Sequence, residues 1–342
     1  MESLGHGVLE MVENQLTAVQ FGVGPIGERI VRAARRRGVQ FVGAVDIDPE
    51  KVGRDLGDVC ELGDEIGAEV TDDIEEALGN DPDVVFHSTV SAAAPASSQI
   101  EPVLEAGYDV VTTCEELAYP WRDHAKEAET LDATAREHGS TCLGTGVNPG
   151  FAMDAMPAVL STPMESVESV RVERVQDAGS RREPLQRKVG AGTTVEEFEA
   201  EIASEAGHVG SAESAAMLGT ALGWELEEIS ETIDPVVADE RLETDYLTVE
   251  AGEVAGVHQV THGYVDGEPR ITLDLKMAVG LEARDTVDFE SDPDVTIEVD
   301  GGYHGDVATS AVVANCAPRV VGADPGLATM LDLPMPSFVR SV

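Results

Sequence analysis

Two adjacent carboxylates, Glu115 and Glu116, follow the apolar, β-branched run Val110-Val-Thr-Thr113 and Cys114. A carboxylate at the end of such a strand can act as a general base or hold a cation that forms during reaction. In so acidic a chain the plainer alternative for a Glu pair is a solvated surface. If the backbone stays extended, the two side chains point to opposite faces. If a helix begins at once, either can face a site.

A second group of residues indicates what such a carboxylate would act beside. Gly22, Gly24 and Gly27 have the G-x-G-x-x-G spacing, between the strand-like Thr17-Ala-Val-Gln-Phe21 and a helix-like stretch with Ile30, Val31, Ala33 and Ala34 on its apolar side. Gly22 permits a sharp turn, Gly24 leaves room for a pyrophosphate, and Gly27 lets the helix pack closely on the strand. The helix start, at Pro25 and Ile26, offers a positive dipole end to phosphates and, from Ile26 on, free N–H groups. Asp46 closes the next apolar strand, Phe41–Val45, and lies 19 residues beyond Gly27. That separation suits a carboxylate that accepts a ribose 2′-hydroxyl. The pattern predicts a dinucleotide cofactor, NAD or NADP. Asp46 favours NAD, and Lys51 and Arg54 nearby would soften the preference.

The elements that must hold these groups alternate between strand and helix from Leu16 to about Val147. Such alternation predicts a parallel, doubly wound Rossmann-type sheet, whose ligands lie beyond the carboxyl ends of the strands. Asp46, Ser88, Thr89, Thr113, Glu115 and Asn148 all fall at such ends. Ser88, Thr89, Thr113 and Asn148 are therefore further candidates for the cofactor. Asn148 can equally be a helix cap. From Phe151 the texture changes. Ser169–Val175, Tyr246–Val249, Val254–Val265, Ile271–Met277 and Val295–Val299 alternate as half-buried strands, with helical stretches near Val195–Glu205 and Ser211–Leu222. This predicts an α+β domain with a mostly antiparallel sheet. The expected division is an extension over residues 1–16, a dinucleotide-binding domain over 17–150, a substrate and dimerisation domain over 151–303, and a closing helix and tail over 304–342 that return to the first domain. On the substrate side, Tyr119 follows the Glu pair, His208 lies in a short polar stretch, and Asn148 is a candidate here too. Gln186-Arg-Lys-Val-Gly-Ala-Gly192 is either a phosphate or substrate patch or a loop with counter-charges.

Composition narrows the partners. Among 342 residues, 66 acids oppose 22 bases, for a formal charge of −44. Lys51, Lys126, Lys188 and Lys276 are the only lysines, and the acids are spread along the whole chain. Such a surface repels itself at low salt and is screened at molar salt, which predicts a halophilic protein. The charge argues against nucleic acid and anionic membranes. No window is long and apolar enough to span a bilayer, and the N-terminus lacks the pattern of a signal peptide, so a cytoplasmic location is expected. The four cysteines form no C-x-x-C pair and the eight histidines no H-E-x-x-H. His258 and His262 share a strand face, and no metal site is expected.

Several longer stretches carry a resemblance. They are Val111-Thr-Thr-Cys-Glu-Glu-Leu-Ala-Tyr-Pro-Trp121, Gly144-Thr-Gly-Val-Asn-Pro-Gly-Phe151, Leu185-Gln-Arg-Lys-Val-Gly190, Gly207-His-Val-Gly-Ser-Ala-Glu-Ser214 and His304-Gly-Asp-Val-Ala-Thr-Ser-Ala311. Together they resemble the 2,4-diaminopentanoate dehydrogenases and related native amine dehydrogenases, over Thr17 to Pro334. The nucleotide domain resembles that of dihydrodipicolinate reductase. The resemblance implies NAD- or NADP-dependent, reversible oxidative deamination of an amine to a ketone, with ammonia as partner. It also implies that a glutamate of the T-C-E-E segment, Glu115 or Glu116, does the acid–base work. Glu115 is preferred because it stands where related dehydrogenases place a lysine. The basic pair and P-S-G-T segment of true dihydrodipicolinate reductases are absent from the sequence. A homodimer is expected through the second domain's sheet. The alternatives are another hydride-transfer enzyme of this architecture, such as a homoserine-dehydrogenase-like one, and a non-catalytic nucleotide-binding protein.

Overall fold

The computed structural model describes residues 15–203 and 207–338. Most of the expected 1–16 extension, part of the Val195–Glu205 stretch and the end of the tail lie outside the described residues. The chain forms two compact units: the chain up to Phe151 with the stretch from Gly305, and Ala152–His304.

The first unit is built on short apolar strands: β1 (Thr17–Phe21), β2 (Gln40–Val45), β3 (Val70–Thr71), β4 (Val84–His87), β5 (Asp109–Thr112) and β6 (Thr141–Gly144). Among the described residues they form a seven-stranded sheet in the order β15-β6-β5-β4-β1-β2-β3, where β15 is Gly326–Ala328. Every pairing is parallel, so both faces need cover and the strands read as continuous apolar runs. The Pro25–Arg35 helix turns Ile30, Val31 and Ala34 inward and packs with the Gly305–Val320 helix. The Ala93–Glu105 and Ala125–His138 helices pack together, and Ile100, Val103, Leu104 and Leu131 join Val85 and Val110 in one core cluster. Each such fully buried side chain contributes about 1.5–3 kcal/mol. Gly139 stops the second of these helices in the left-handed region, at φ 75°.

The closing Gly305–Val320 helix packs in this unit. It is followed by β15, a strand with no expectation in the sequence. Three residues give no readable period; β15 pairs with β6, and its Leu327 N–H donates to Asp132 Oδ1 at 2.9 Å.

The second unit carries β7 (Ser166–Asp177), β8 (Glu228–Val237), the two-residue strands β9 (Leu242–Glu243) and β10 (Thr248–Val249), β11 (Val254–Val265), β12 (Glu268–Ala278), β13 (Arg284–Asp292) and β14 (Val295–Asp300). Six of these, among the described residues, make one sheet in the order β14-β13-β7-β12-β11-β8. Only the β7–β12 pairing is parallel. The Ser211–Ala221 helix packs against β8, β11 and β12. Val172, Leu273, Leu275, Val257 and Val287 lie on the buried face, while Arg171, Glu173, His258, Asp274, Lys276 and Arg284 alternate with them on the other.

Candidate active site

The glycine turn is fixed by close approach at two points and open at the third. Gly22 sits at φ +89°, and a Cβ there would stand 2.7 Å from the Ser88 carbonyl oxygen. A Cβ on Gly27 would stand 2.0 Å from the Gly22 carbonyl oxygen, so only glycine lets the helix meet the turn. Around Gly24 a Cβ would meet nothing within 4 Å. Gly24 is also the helix N-cap, no side chain caps the first turn, and Pro25 takes the position where a missing N–H does no harm. Open space beside uncapped N–H groups fits a pyrophosphate.

Asp46 is tied into this turn. Its Oδ2 accepts the Val23 N–H at 2.8 Å and its Oδ1 the Asp48 N–H at 2.9 Å. Lys51 Nζ lies 3.4 Å from Asp46 Oδ2 and donates to the Val23 carbonyl at 3.1 Å. Arg54 instead reaches the Glu50 carbonyl, at 3.4 Å. Ile47, next in sequence, is 90% exposed. The sequence reading passed over Ile47; its signal was a branched apolar residue between two aspartates, Asp46 and Asp48.

The hydroxyls at the strand ends are largely committed to the protein itself. Ser88 Oγ donates to the Gly22 carbonyl and accepts from Gln20 Nε2, both at 3.0 Å. It clamps the turn onto β4. Thr89 Oγ1 meets His87 and Gln99. The Thr113 N–H donates to the His87 carbonyl at 3.0 Å.

The Glu pair divides sharply. A 3₁₀ turn begins at once, over Glu115–Leu117. Glu116 Oε2 accepts the Ala93 N–H at 2.7 Å, at the start of the Ala93–Glu105 helix, and lies 3.3 Å from His124 Nε2. A carboxylate there satisfies a free helix donor and the positive dipole end. The half-buried Glu115 carboxylate makes no hydrogen bond or ion pair among the described residues. Cys114 before it is buried, its thiol donates to the Ser91 carbonyl at 3.0 Å, and burial pushes its pKa up to about 12. It is no nucleophile. Gly144 of β6 allows the turn to lie close, since a Cβ there would stand 2.3 Å from the Leu117 carbonyl oxygen.

Tyr119 stacks at a tilt on Trp121, with centroids 5.3 Å apart. Asn148 is buried just past β6, and the Val147 N–H beside it donates to Thr309 Oγ1 at 3.2 Å. His208 belongs to the second unit. Its N–H donates to Gln259 Oε1 at 2.6 Å and its Nδ1 lies 2.6 Å from the Val209 carbonyl oxygen. Of the basic patch, Gln186 is buried and bonds the Gly179 and Arg181 carbonyls, while Arg187 pairs with Glu183 at 2.7 Å. Gln186, Arg187 and Lys188 fall on the short Glu183–Lys188 helix, ahead of the glycines. His258 Nε2 meets Asp274 Oδ1 at 2.9 Å, and His262 Nδ1 lies 3.1 Å from Thr272 Oγ1.

Known proteins bear on this arrangement directly. Residues 151–341 match the family described as the 2,4-diaminopentanoate dehydrogenase C-terminal domain. The 2,4-diaminopentanoate dehydrogenase of Acetoanaerobium sticklandii is 34% identical over 265 residues, which span 75% of each chain. The chain belongs to the 2,4-diaminopentanoate dehydrogenase family. An amine dehydrogenase of Streptomyces virginiae is 26% identical over 94% of this chain and 96% of that one, and this chain is an enzyme of that kind. The solved amine dehydrogenase of Mycobacterium smegmatis superposes with a TM-score of 0.83 at 26% identity, covering 95% of this chain and 98% of that one. A dihydrodipicolinate reductase from a Paenisporosarcina species shares the fold, at 12% identity and a TM-score of 0.54 over 93% of this chain and 99% of that one. The resemblance read from the motifs is borne out, as is the Rossmann-type sheet joined to a mostly antiparallel one.

Proposed function

We propose that this chain catalyses the reversible oxidative deamination of an amine or diamino acid to a ketone and ammonia, with NAD or NADP, and that Glu115 is its acid–base residue. The observation that carries the proposal is the contrast at the end of β5: one carboxylate of the pair is bound into a helix start, while its neighbour is left with both oxygens available. Bound nicotinamide supplies the hydride acceptor. Glu115 takes a proton from the substrate ammonium, which frees the nitrogen lone pair to stabilise the carbon as hydride leaves. Water adds to the resulting iminium beside the carboxylate and loses its extra proton to solvent; Glu115 then returns its proton to the carbinolamine nitrogen, ammonia leaves, and the hydroxyl proton passes to solvent as the ketone forms.

The turn Gly22–Gly27, including Pro25 and Ile26, holds the pyrophosphate, and Asp46 accepts the ribose hydroxyls. Lys51 partly neutralises Asp46, so the preference for NAD is modest, and exposed Ile47 offers an apolar face to the adenine. Tyr119, Asn148 and His208 serve the substrate. The chain works as a cytoplasmic homodimer in molar salt, joined through the open face of the six-stranded sheet. There Arg171, Lys276 and Arg284 pair within the chain with Asp274 and Glu173, so the charges on this face are already neutralised where a second copy would cover them.

The test is NADH formation in molar KCl from NAD⁺ and 2,4-diaminopentanoate, with a panel of simple amines beside it. Ammonia released in step with NADH supports the proposal. NADH formed from a panel of 2-hydroxy acids without ammonia release would assign the chain to alcohol oxidation instead.

A further inference from the structure

His87 ends β4 with no exposure to solvent. Its ring is bonded at both nitrogens. Nδ1 lies 2.8 Å from Thr112 Oγ1, and Nε2 lies 2.8 Å from Gln99 Oε1 and 2.9 Å from Thr89 Oγ1. Phe21 meets the ring edge-on at 5.3 Å between centroids. Burial pushes its pKa down to about 4, so the ring is neutral and carries a single N–H. The neighbours decide which nitrogen holds it. Gln99 Oε1 only accepts, which puts the hydrogen on Nε2. Thr112 then donates its hydroxyl proton to Nδ1. That leaves the Thr112 oxygen to accept the Cys114 backbone N–H, at 3.0 Å.

The Cys114 N–H is the last bonded backbone donor before Glu115, and the Cys114 side chain is held separately by the Ser91 carbonyl. Cys114 is extended, at φ −63° and ψ 112°, and the 3₁₀ turn starts at the next residue. Beyond Glu115 the turn is held by the Glu116 N–H, which donates to the Ser91 carbonyl at 3.3 Å, and by the Glu116 carboxylate at the Ala93 N–H. The chain is thus pinned on both sides of Glu115, and the upstream pin depends on where the Thr112 hydroxyl hydrogen points. A threonine rotor turned the other way would present its hydrogen to the Cys114 N–H and break the bond.

We propose that His87 is a positioning residue for Glu115: as the Nε2–H tautomer it orients the Thr112 hydroxyl, which holds the Cys114 amide and so fixes the direction in which Glu115 leaves the strand end. This rests on the acid–base role proposed for Glu115. Gln99, Thr112 and Cys114 form with His87 a relay of hydrogen bonds that moves no proton. Its work is geometric, and a site acting by positioned proton transfer is sensitive to such geometry.

Two substitutions separate this role from simple packing. Both remove the ring and open a similar space. His87→Asn keeps an acceptor where Nδ1 stood but cannot reach Gln99. His87→Gln reaches Gln99 but offers Thr112 no acceptor. Amide hydrogen exchange over residues 113–117 and kcat with 2,4-diaminopentanoate and NAD⁺ are read on both variants and on Thr112→Val. The proposal expects His87→Gln and Thr112→Val each to lose about tenfold in kcat, the size of one hydrogen bond, with the KM for NAD⁺ unchanged. Their 113–117 amides should exchange faster. His87→Asn should stay within about twofold of the parent and keep its protection. Combining His87→Gln with Thr112→Val should add nothing, because both break one relay. Equal exchange and equal kcat in His87→Asn and His87→Gln would overturn it, and Thr112→Val decides alone if both histidine variants fail to fold. A Glu115→Gln enzyme with full turnover would remove the acid–base reading, while the exchange comparison would still decide whether His87 holds the turn.

Discussion

The two units bury polar side chains to different ends. In the first, buried groups bond outward to the loops at the carboxyl ends of the strands: Gln20 to the glycine turn and Thr112 to the Cys114 N–H. In the second, they bond sideways between strands. Arg174 of β7 pairs with its cross-strand partner Asp285 of β13 at 3.0 Å, with both groups almost wholly buried, and Gln259 and Thr261 share Glu231 on the neighbouring strand. Loops carry chemistry and strands carry register. The parallel unit therefore invests its buried polarity where ligands are expected, and the mixed sheet uses it to fix pairing.

This contrast can be broken most forcefully at Arg174. Burial lowers the Arg174 pKa and raises that of Asp285, each pulled back by the other charge. Arg174→Met leaves an uncompensated buried carboxylate and should remove about 3–5 kcal/mol from the second unit. Urea unfolding followed by Trp224 in a Trp121→Phe background reads that unit alone, since the two tryptophans fall in different units. Adding Asp285→Leu should restore most of the loss. A double variant as weak as the single one would mean the pair does more than set register.

A smaller effect is expected at Asp109, whose carboxyl burial pushes up to about 6, with Asp83 nearby adding to the rise. A raised folded-state value means that protonation favours the fold. This stabilisation is full below the unfolded value near 4 and is lost as pH rises through about 6. Asp109→Asn keeps the acceptor for the Thr141 N–H and removes the charge. It should be more stable than the parent at pH 7–8 by about 1–2 kcal/mol, discounted for partial exposure, and level with it near pH 4. A pH-independent difference between the two melting curves would contradict this.

The smallest effect belongs to Lys51. Without it Asp46 faces the ribose unneutralised, so Lys51→Ala should weaken NADPH against NADH by about fivefold, the worth of a half-exposed ion pair. Fluorescence titration with both reduced cofactors measures the ratio. An unchanged ratio would remove Lys51 from cofactor choice.

Much of this organisation is legible in the residues, and the losses have physical causes. The glycine turn, Asp46 and the strand ends were readable because turn chemistry is local. The closing helix, expected within 304–342 and found at Gly305–Val320, was readable by its apolar face. β8 and β13 were missed. Acids on their open face, such as Glu228, Asp234 and Asp288, dilute the apolar alternation in a chain that places acids everywhere. His87 could not be singled out, because its meaning lies in Gln99 and Thr112, one on a helix and one on the next strand. Nor could the division between Glu115 and Glu116 be read, since it depends on the Ala93 N–H, 23 residues upstream of Glu116.

That division is the centre of the account, and a pair of variants tests it most directly. Glu115→Gln and Glu116→Gln are compared for kcat with 2,4-diaminopentanoate and NAD⁺, and for thermal midpoint. Glu115→Gln should lose about 10²-fold or more in kcat with an unchanged midpoint and unchanged cofactor binding. Glu116→Gln should lower the midpoint through the weakened Ala93–Glu105 helix start and keep kcat within about fivefold, a conformational loss of ~1 kcal/mol. The reverse pattern, with turnover lost at Glu116 and kept at Glu115, would contradict the assignment of the acid–base role.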